Sequence, residues 1–226
     1  MANVTVSGYL RTTSGDQIPL RNDGQAEGTE FTLTTDTNLT TTAQNIGNYK
    51  PGATVVSGEI FAPNGVSYAY ILRQGIIVGW MIPNKNGVSN REQPMSMPVV
   101  LRPGDTLRVL VIAAASRNAA LLVKTSAGMS RIFVGTPSGA ATTNLLDLQD
   151  STSIGDTLQG QTIVQAAFLS VDGSKIVSSG GAWICNASGQ LAGSVPASNP
   201  TAVEPMISSV SIPIELNWTA TVVTNA

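Results

Sequence analysis

Histidine is absent from the 226-residue chain, and cysteine occurs once, as Cys185. Without histidine the commonest general acid–base group is missing, and every Ser–His–Asp or Cys–His nucleophilic arrangement goes with it. One Cys and no His also cannot build a zinc site. A single thiol forms no intramolecular disulfide, and the apolar setting "AWICNAS" predicts that Cys185 is buried and inert. Charge is scarce as well: Asp, Glu, Lys and Arg make up 12% of the residues, about half the usual share for a globular protein. No apolar run approaches the ~18 residues of a membrane-spanning helix. The opening "MANVTVSGYL" lacks the basic and apolar regions of a signal peptide, so synthesis in a cytoplasm is expected.

The apolar share of 42% is ample for a core. With so few charges, the surface must be covered by Thr, Ser, Asn, Gln, Gly and Ala, a chemistry poorly defended against association. The net charge of −2 leaves no electrostatic footprint for nucleic acid. The distribution is uneven: eleven bases face eight acids up to Arg131, while beyond it Lys175 alone faces six acids. Such polarity could orient subunits in an assembly.

Short alternating segments separated by Gly, Pro and Asn turns predict an all-β protein of roughly a dozen strands. "VTVSGYL", "FTLTT", "GIIVGWM", "TLRVLVIAAA", "ALLVKT", "SRIFVG" and "GGAWIC" read as strands. Hairpins are expected at Pro63-Asn64-Gly65 and at Asp172-Gly173, each with its turn chemistry in place. "SSVSIPIELNWTATVV" reads as one long closing strand. Short helical turns are expected only near Thr42 to Ile46, Ser116 to Leu122 and Asn144 to Asp150. The expectation is one domain over 1–226, with an internal boundary, if one exists, in the Ser/Thr/Gly/Asp-rich stretch 136–160. About a dozen strands exceed one eight-stranded jelly roll and fall short of two.

Chemistry has few carriers left. Paired carboxylates could serve a glycosidase, but the acids are spread singly and away from aromatic residues. Trp80, Trp183 and Trp218 all sit in apolar or alternating strands, which predicts core packing for each. Asp147, Asp150 and Asp156 place three carboxylates within ten residues, the best calcium candidates in the chain. Their spacing is not that of an EF-hand, and Asp in Gly/Ser loops is ordinarily turn chemistry. The tetrapeptide GDTL occurs twice, as Gly104 to Leu107 and Gly155 to Leu158. A phosphate cradle needs a Gly-rich loop feeding a helix beside a base, whereas both copies precede strand-forming runs. Pro103, Gly104, Asp105, Gly155 and Asp156 therefore read as turn residues that start strands, with no catalytic role and no cofactor.

"MPVVLRPGDTLRVLVIA" (Met97 to Ala113) resembles the turn that opens a core strand in jelly-roll sandwiches, viral capsid proteins among them. "SVSIPIELNWTATVV" resembles the last strand of a capsid jelly roll. The resemblance implies an antiparallel β-sandwich of jelly-roll type, either elaborated or duplicated. It further implies a structural virion protein, a capsid or capsid-decoration subunit that assembles with copies of itself and with other virion proteins. The polar loop Asn84 to Pro98 and the segment Thr136 to Asp156 are its expected contact or exposed loops. A sandwich that binds carbohydrate, such as a phage fibre or adhesin domain, is the alternative reading.

Overall fold

The computed structural model describes residues 3–19, 31–34, 43–44, 46–61, 65–82, 92–113, 118–136, 142–171, 181–196 and 207–223. Those residues form seventeen strands and two short helices, and every strand pairing among them is antiparallel. The all-β expectation is met. The chain separates into two compact units, 1–113 and 114–226. This division falls ahead of the stretch 136–160, whose described residues 136 and 142–160 belong to the second unit and include strand β12 and helix α2.

The first unit contains β1 (Asn3–Thr12), β2 (Gln17–Pro19), β3 (Phe31–Thr34), β4 (Ala43–Gln44), α1 (Ile46–Tyr49), β5 (Thr54–Phe61), β6 (Gly65–Arg73), β7 (Ile76–Met81), β8 (Gln93–Val100) and β9 (Thr106–Ala113). One sheet runs β2-β1-β5-β8, with β3 also on β1, and the other runs β4-β9-β6-β7. Within these sheets β4 pairs β9, β5 pairs β8 and β6 pairs β7, so three antiparallel ribbons are nested one inside the next. The β1–β2 hairpin supplies the fourth ribbon. Eight strands wound as nested ribbons into two sheets are the jelly-roll plan. Here the hairpin precedes the other three ribbons in the chain instead of enclosing them.

Alternation along these strands sends one side of each sheet into a shared core of Leu10, Ile18, Ile46, Val55, Ala69, Ile71, Met81, Met95, Val99, Leu101 and Leu107. The prolines of "QPMSMPVV" are tolerated because β8 is an end strand. The hairpin expected at Pro63-Asn64-Gly65 does not form. Its flanking strands β5 and β6 belong to different sheets, and residues 62–64 lie outside the described set. Residues 84–91 of the expected polar loop also lie outside it, while Gln93 to Pro98 belong to β8.

The second unit contains β10 (Asn118–Thr125), β11 (Ser130–Gly135), β12 (Thr142–Asp147), α2 (Ile154–Leu158), β13 (Thr162–Val171), β14 (Gly181–Cys185), β15 (Leu191–Pro196), β16 (Ser208–Pro213) and β17 (Thr219–Val223). They form one eight-stranded sheet in the order β15-β14-β17-β12-β11-β10-β13-β16. The end strands carry Pro196 and Pro213, residues that cannot donate to a ladder. They nevertheless approach each other, and a Cβ on Gly193 of β15 would lie 2.6 Å from the Ile212 side chain of β16. The sheet is therefore a nearly closed barrel around one core that includes Leu121, Phe133, Leu145, Ile163, Phe168, Ile184, Trp218 and Val222.

Several local expectations are corrected. Of the residues expected to be helical, Asn118 to Leu122 lie in strand β10 and Asn144 to Asp147 in strand β12, while Ser116 and Arg117 lie outside the described residues. The apolar run of β10 is paired on both sides, by β11 and by β13, which outweighs helix propensity. The closing segment is two strands, β16 and β17, separated by a turn at Glu215–Asn217 and lodged at different places in the barrel. The hairpin expected to turn at Asp172-Gly173 has its turn and second arm within 172–180, which lie outside the described residues. Most of the 196–205 loop lies outside them too.

The second GDTL is helix α2, not a strand-starting turn. Ser153 caps it: its Oγ accepts from the Asp156 N–H at 3.1 Å and donates to the Asp156 carboxylate at 2.7 Å. This reciprocal capping overrides the turn preference of Gly-Asp, and β13 starts only at Thr162. Gly155 is required by close approach, because its N–H donates to Trp218 O at 3.0 Å and an added Cβ would lie 2.3 Å from Trp218 N and 2.8 Å from Glu215 O. Backbone atoms on both sides leave no room to give. Gly155→Ala is expected to cost the second unit at least about 1–3 kcal/mol, as overpacking does. Chemical denaturation checks this, and an unchanged midpoint would contradict the packing.

Candidate functional site

Three clusters of polar side chains stand out among the described residues. The first is built on the first GDTL. Pro103 and Gly104 form the turn, Gly104 taking the left-handed φ of 89°. Asp105 then folds back, its Oδ2 accepting from Arg102 N–H at 2.8 Å. Arg73, at the end of β6, grips the same carboxylate with Nε at 2.9 Å and Nη2 at 2.7 Å, a two-pronged contact suited to a planar guanidinium. Nη2 also donates to Val100 O at 2.7 Å. The Asp105 side chain is fully enclosed and that of Arg73 is 24% exposed. Burial opposes the charge on Asp105, but Arg73 and the Arg102 N–H overcome it and hold the carboxyl below its ordinary value. The α1 segment completes the corner, with Gly47 N–H on Asp105 O at 3.0 Å and Asn48 Oδ1 accepting from Gly104 N–H at 3.2 Å. Pro103, Gly104 and Asp105 are thus the strand-starting corner that the sequence predicts.

The second cluster concerns the calcium candidates. Asp147 closes β12 on the inward register, opposite Phe133, and is 2% exposed. Its Oδ1 accepts from Gln149 N–H at 2.7 Å. Its Oδ2 has no hydrogen-bond partner among the described residues, and Arg131 Nε stands 3.6 Å away, beyond good hydrogen-bond reach. Burial raises the Asp147 pKa, aided by neighbouring Asp150 and only partly offset by Gln149 N–H and Arg131. Asp150 is committed to Thr152 N–H at 3.1 Å, and Asp156 to the helix-capping hydroxyl of Ser153. The three carboxylates serve three separate local tasks. Among the described residues no group of three or more His, Cys, Asp or Glu is placed to hold a metal ion, so the calcium candidates are not assembled into a site.

The third cluster escapes sequence reasoning, since its members are far apart in the chain. Arg11 on β1 donates from Nε to Glu92 at 2.6 Å, from Nη2 to the Tyr9 hydroxyl at 3.3 Å and from Nη1 to Gly15 O at 3.3 Å. Its guanidinium carbon lies 5.4 Å from the Tyr9 ring centroid. Ser57 Oγ on β5 donates to the other Glu92 oxygen. Burial pushes Glu92 up, but Ser57 and Arg11 prevail and leave it below its ordinary value. A carboxylate so stabilised is a poor base toward Ser57, because general-base catalysis favours a pKa near the working pH. The cross-strand register Arg11–Ser57–Pro94 shows that the cluster laces β1, β5 and the start of β8 together. Only the strand pairing, not any local motif, brings it together.

Aromatic and thiol placements complete the survey. Trp80 and Trp218 are buried as expected, but Trp183 is 42% exposed. Alternation along β14 turns Ala182 and Ile184 inward and leaves Trp183 on the outer surface. Cys185 shares that outward register and is half-buried, not enclosed in the core. No helix among the described residues is long and apolar enough to cross a membrane. Searches against family models, curated proteins and solved structures find no match to this chain.

The two enclosed aspartates are expected to behave oppositely. Asp105→Asn leaves Arg73 without its counter-charge and should cost the first unit about 3 kcal/mol, the low end for a broken buried pair because Arg73 keeps some water. The folded pKa of Asp105 is depressed, so its stabilisation is full above the unfolded value and is lost as pH falls through the folded one. Urea denaturation should therefore show the deficit at neutral pH and see it shrink in acid. Asp147→Asn should instead raise the stability of the second unit at neutral pH. There the folded pKa is elevated, so ionised Asp147 opposes folding, and the variant's advantage fades as acid protonates the native carboxyl. A lower melting temperature for Asp147→Asn at neutral pH would overturn that reading.

Proposed function

We propose that this protein is a structural subunit that works by self-association, as a capsid or capsid-decoration subunit of a virus. The observation that carries the reading is the surface. Among the described residues six large apolar side chains stand exposed: Ile76 and Val100 in the first unit, and Leu146, Trp183, Leu191 and Leu216 in the second. They sit in a chain with only 12% charged residues. Single exposed apolar residues are ordinary on protein surfaces. Combined with so little charge, they describe surfaces that lose little hydration on meeting one another.

The jelly-roll winding of the first unit supports the same reading, because that plan recurs in viral shells. It also recurs in lectins, so fold alone does not choose between assembly and binding. Charge placement favours assembly. The carboxylates Asp105, Glu92 and Asp156 are spent on holding a corner, lacing strands and orienting the helix-capping hydroxyl of Ser153. Asp147, whose raised pKa would suit acid catalysis, is closed off from solvent.

Size-exclusion chromatography with light scattering, followed by negative-stain microscopy, tests this. Symmetric capsomers or particles are expected, and they should persist or grow as sulfate is added, because apolar contacts strengthen under salting-out conditions while ion pairs are screened. A strictly monomeric protein at high concentration overturns the reading. Retention of a small oligomer on a glycan surface would replace it with the carbohydrate-binding alternative.

A further inference from the structure

We infer that the outer face of strands β15-β14-β17-β12 is the surface through which one copy of this chain docks against a second copy. The inference rests on the self-association reading and names the face that performs it.

Register assigns the face, which carries a bulge at Ile184–Cys185 and within which Thr221 is only 7% exposed. Leu191 pairs with Cys185, Cys185 with Thr219, and Val134 of the adjoining β11 with Leu146. Thr219 precedes Ala220, the partner of Leu145, so Leu146 continues the same row. A second row runs Ser194–Trp183–Thr221–Asn144. The intervening residues Ala182, Ile184, Ala220, Val222, Leu145 and Val195 belong to the barrel core, which fixes these two rows as outward. Within the patch Leu191 is 60% exposed, Trp183 42% and Leu146 39%.

The decisive property is charge. The strands read TTNLLD, GAWIC, LAGSVP and TATVV, and their only charged residue is Asp147, which lies on the inward register. Other exposed faces differ: the outer side of β1, β5 and the start of β8 carries Arg11, Glu59 and Glu92. A partner presenting charges to the uncharged face would lose their hydration with nothing to compensate it. The matching occupant is a face that is itself uncharged, with hydroxyls and amides to pair Thr219 and Asn144. The same face on a second copy supplies that chemistry, and a two-fold arrangement lets it meet itself.

Its size sets the strength. Strands of five or six residues, spaced about 4.8 Å apart and rising about 3.4 Å per residue, make a patch of a few hundred Å². Two such faces together stay below the roughly 1,000 Å² expected of a stable specific interface. The pairwise contact is therefore weak and becomes firm only when many copies are held together.

Cys185 sits within the patch and is the sole cysteine of the chain, so it reports on coverage. Sedimentation velocity from micromolar to millimolar protein, with the rate of thiol labelling by a small aromatic disulfide measured in parallel, tests the inference. Association that rises with concentration is expected, with labelling slowing several-fold alongside it. Leu146→Lys and Trp183→Lys should each weaken association by at least about tenfold, the effect of burying an unpaired charge. Both should retain the native circular dichroism, and Gln17→Lys, at an exposed position of the first unit outside the apolar set, should associate like the native chain. If the native chain and both face variants assemble alike with the thiol equally reactive, the face is wrong while the self-association reading stands. If nothing associates at any concentration, both are overturned. Glycan retention lost on Trp183→Lys, in a protein that does not self-associate, would assign the face to a sugar instead.

Discussion

The first unit hangs on one side chain, the Arg73 guanidinium. Its Nε and Nη2 hold Asp105 at the start of β9, and Nη2 also holds the carbonyl of Val100 at the end of β8. Strands β6 and β9 belong to one sheet and β8 to the other. The apolar core between the sheets is strong but carries no direction. The guanidinium supplies direction, fixing where the two sheets meet at this end of the sandwich. Leu101 and Leu107, which bracket the Arg102–Asp105 turn, both enter the core, so the polar corner and the apolar filling set each other's position.

Several charged residues among those described are used in this economical way. Arg73 and Asp105 lock a corner, Arg11 and Glu92 lace three strands, and Asp156 holds the hydroxyl of Ser153, the serine that caps a five-residue helix. Asp147 is the exception, an enclosed carboxyl whose second oxygen finds no hydrogen bond and whose arginine stands too far off to compensate fully. Charge employed inside the fold is charge withheld from the surface, which is why half of the barrel's exterior is bare of it.

Much of the fold could be read from the sequence, and the misses have physical causes. The strands β1, β7, β9, β10, β11 and β14 follow from alternation and turn residues, which are local signals. Which strands pair is not local: β5 and β6 look like a hairpin and go to different sheets. The repeated GDTL shows how context decides. After Arg-Pro it becomes a corner closed by an arginine 32 residues upstream. After Ser153 it becomes a capped helix, because that serine accepts from Asp156 N–H. The Asp105 corner was legible as a turn but not as an ion pair, and the Arg11–Glu92 cluster, separated by 81 residues, was not legible at all. Trp183 was misplaced because an apolar strand seen alone does not say which of its faces meets solvent.

The order of ribbons in the first unit also has a kinetic side. Strand β9 lies between β4 and β6, at the middle of its sheet, yet it is the last strand of the unit in the chain. Among the described residues β4 pairs with β9 alone, so its place is not defined until Leu107 and Arg108 are available. During synthesis β6 and β7 can form a local ribbon early, but the sheet they belong to stays incomplete along one edge. Closing it requires contacts between residues more than sixty positions apart, as between Ala43 and Arg108, the kind of pairing that makes β proteins fold slowly. An unpaired apolar strand edge is thus presented to the surroundings for as long as the ribosome takes to reach the end of the unit.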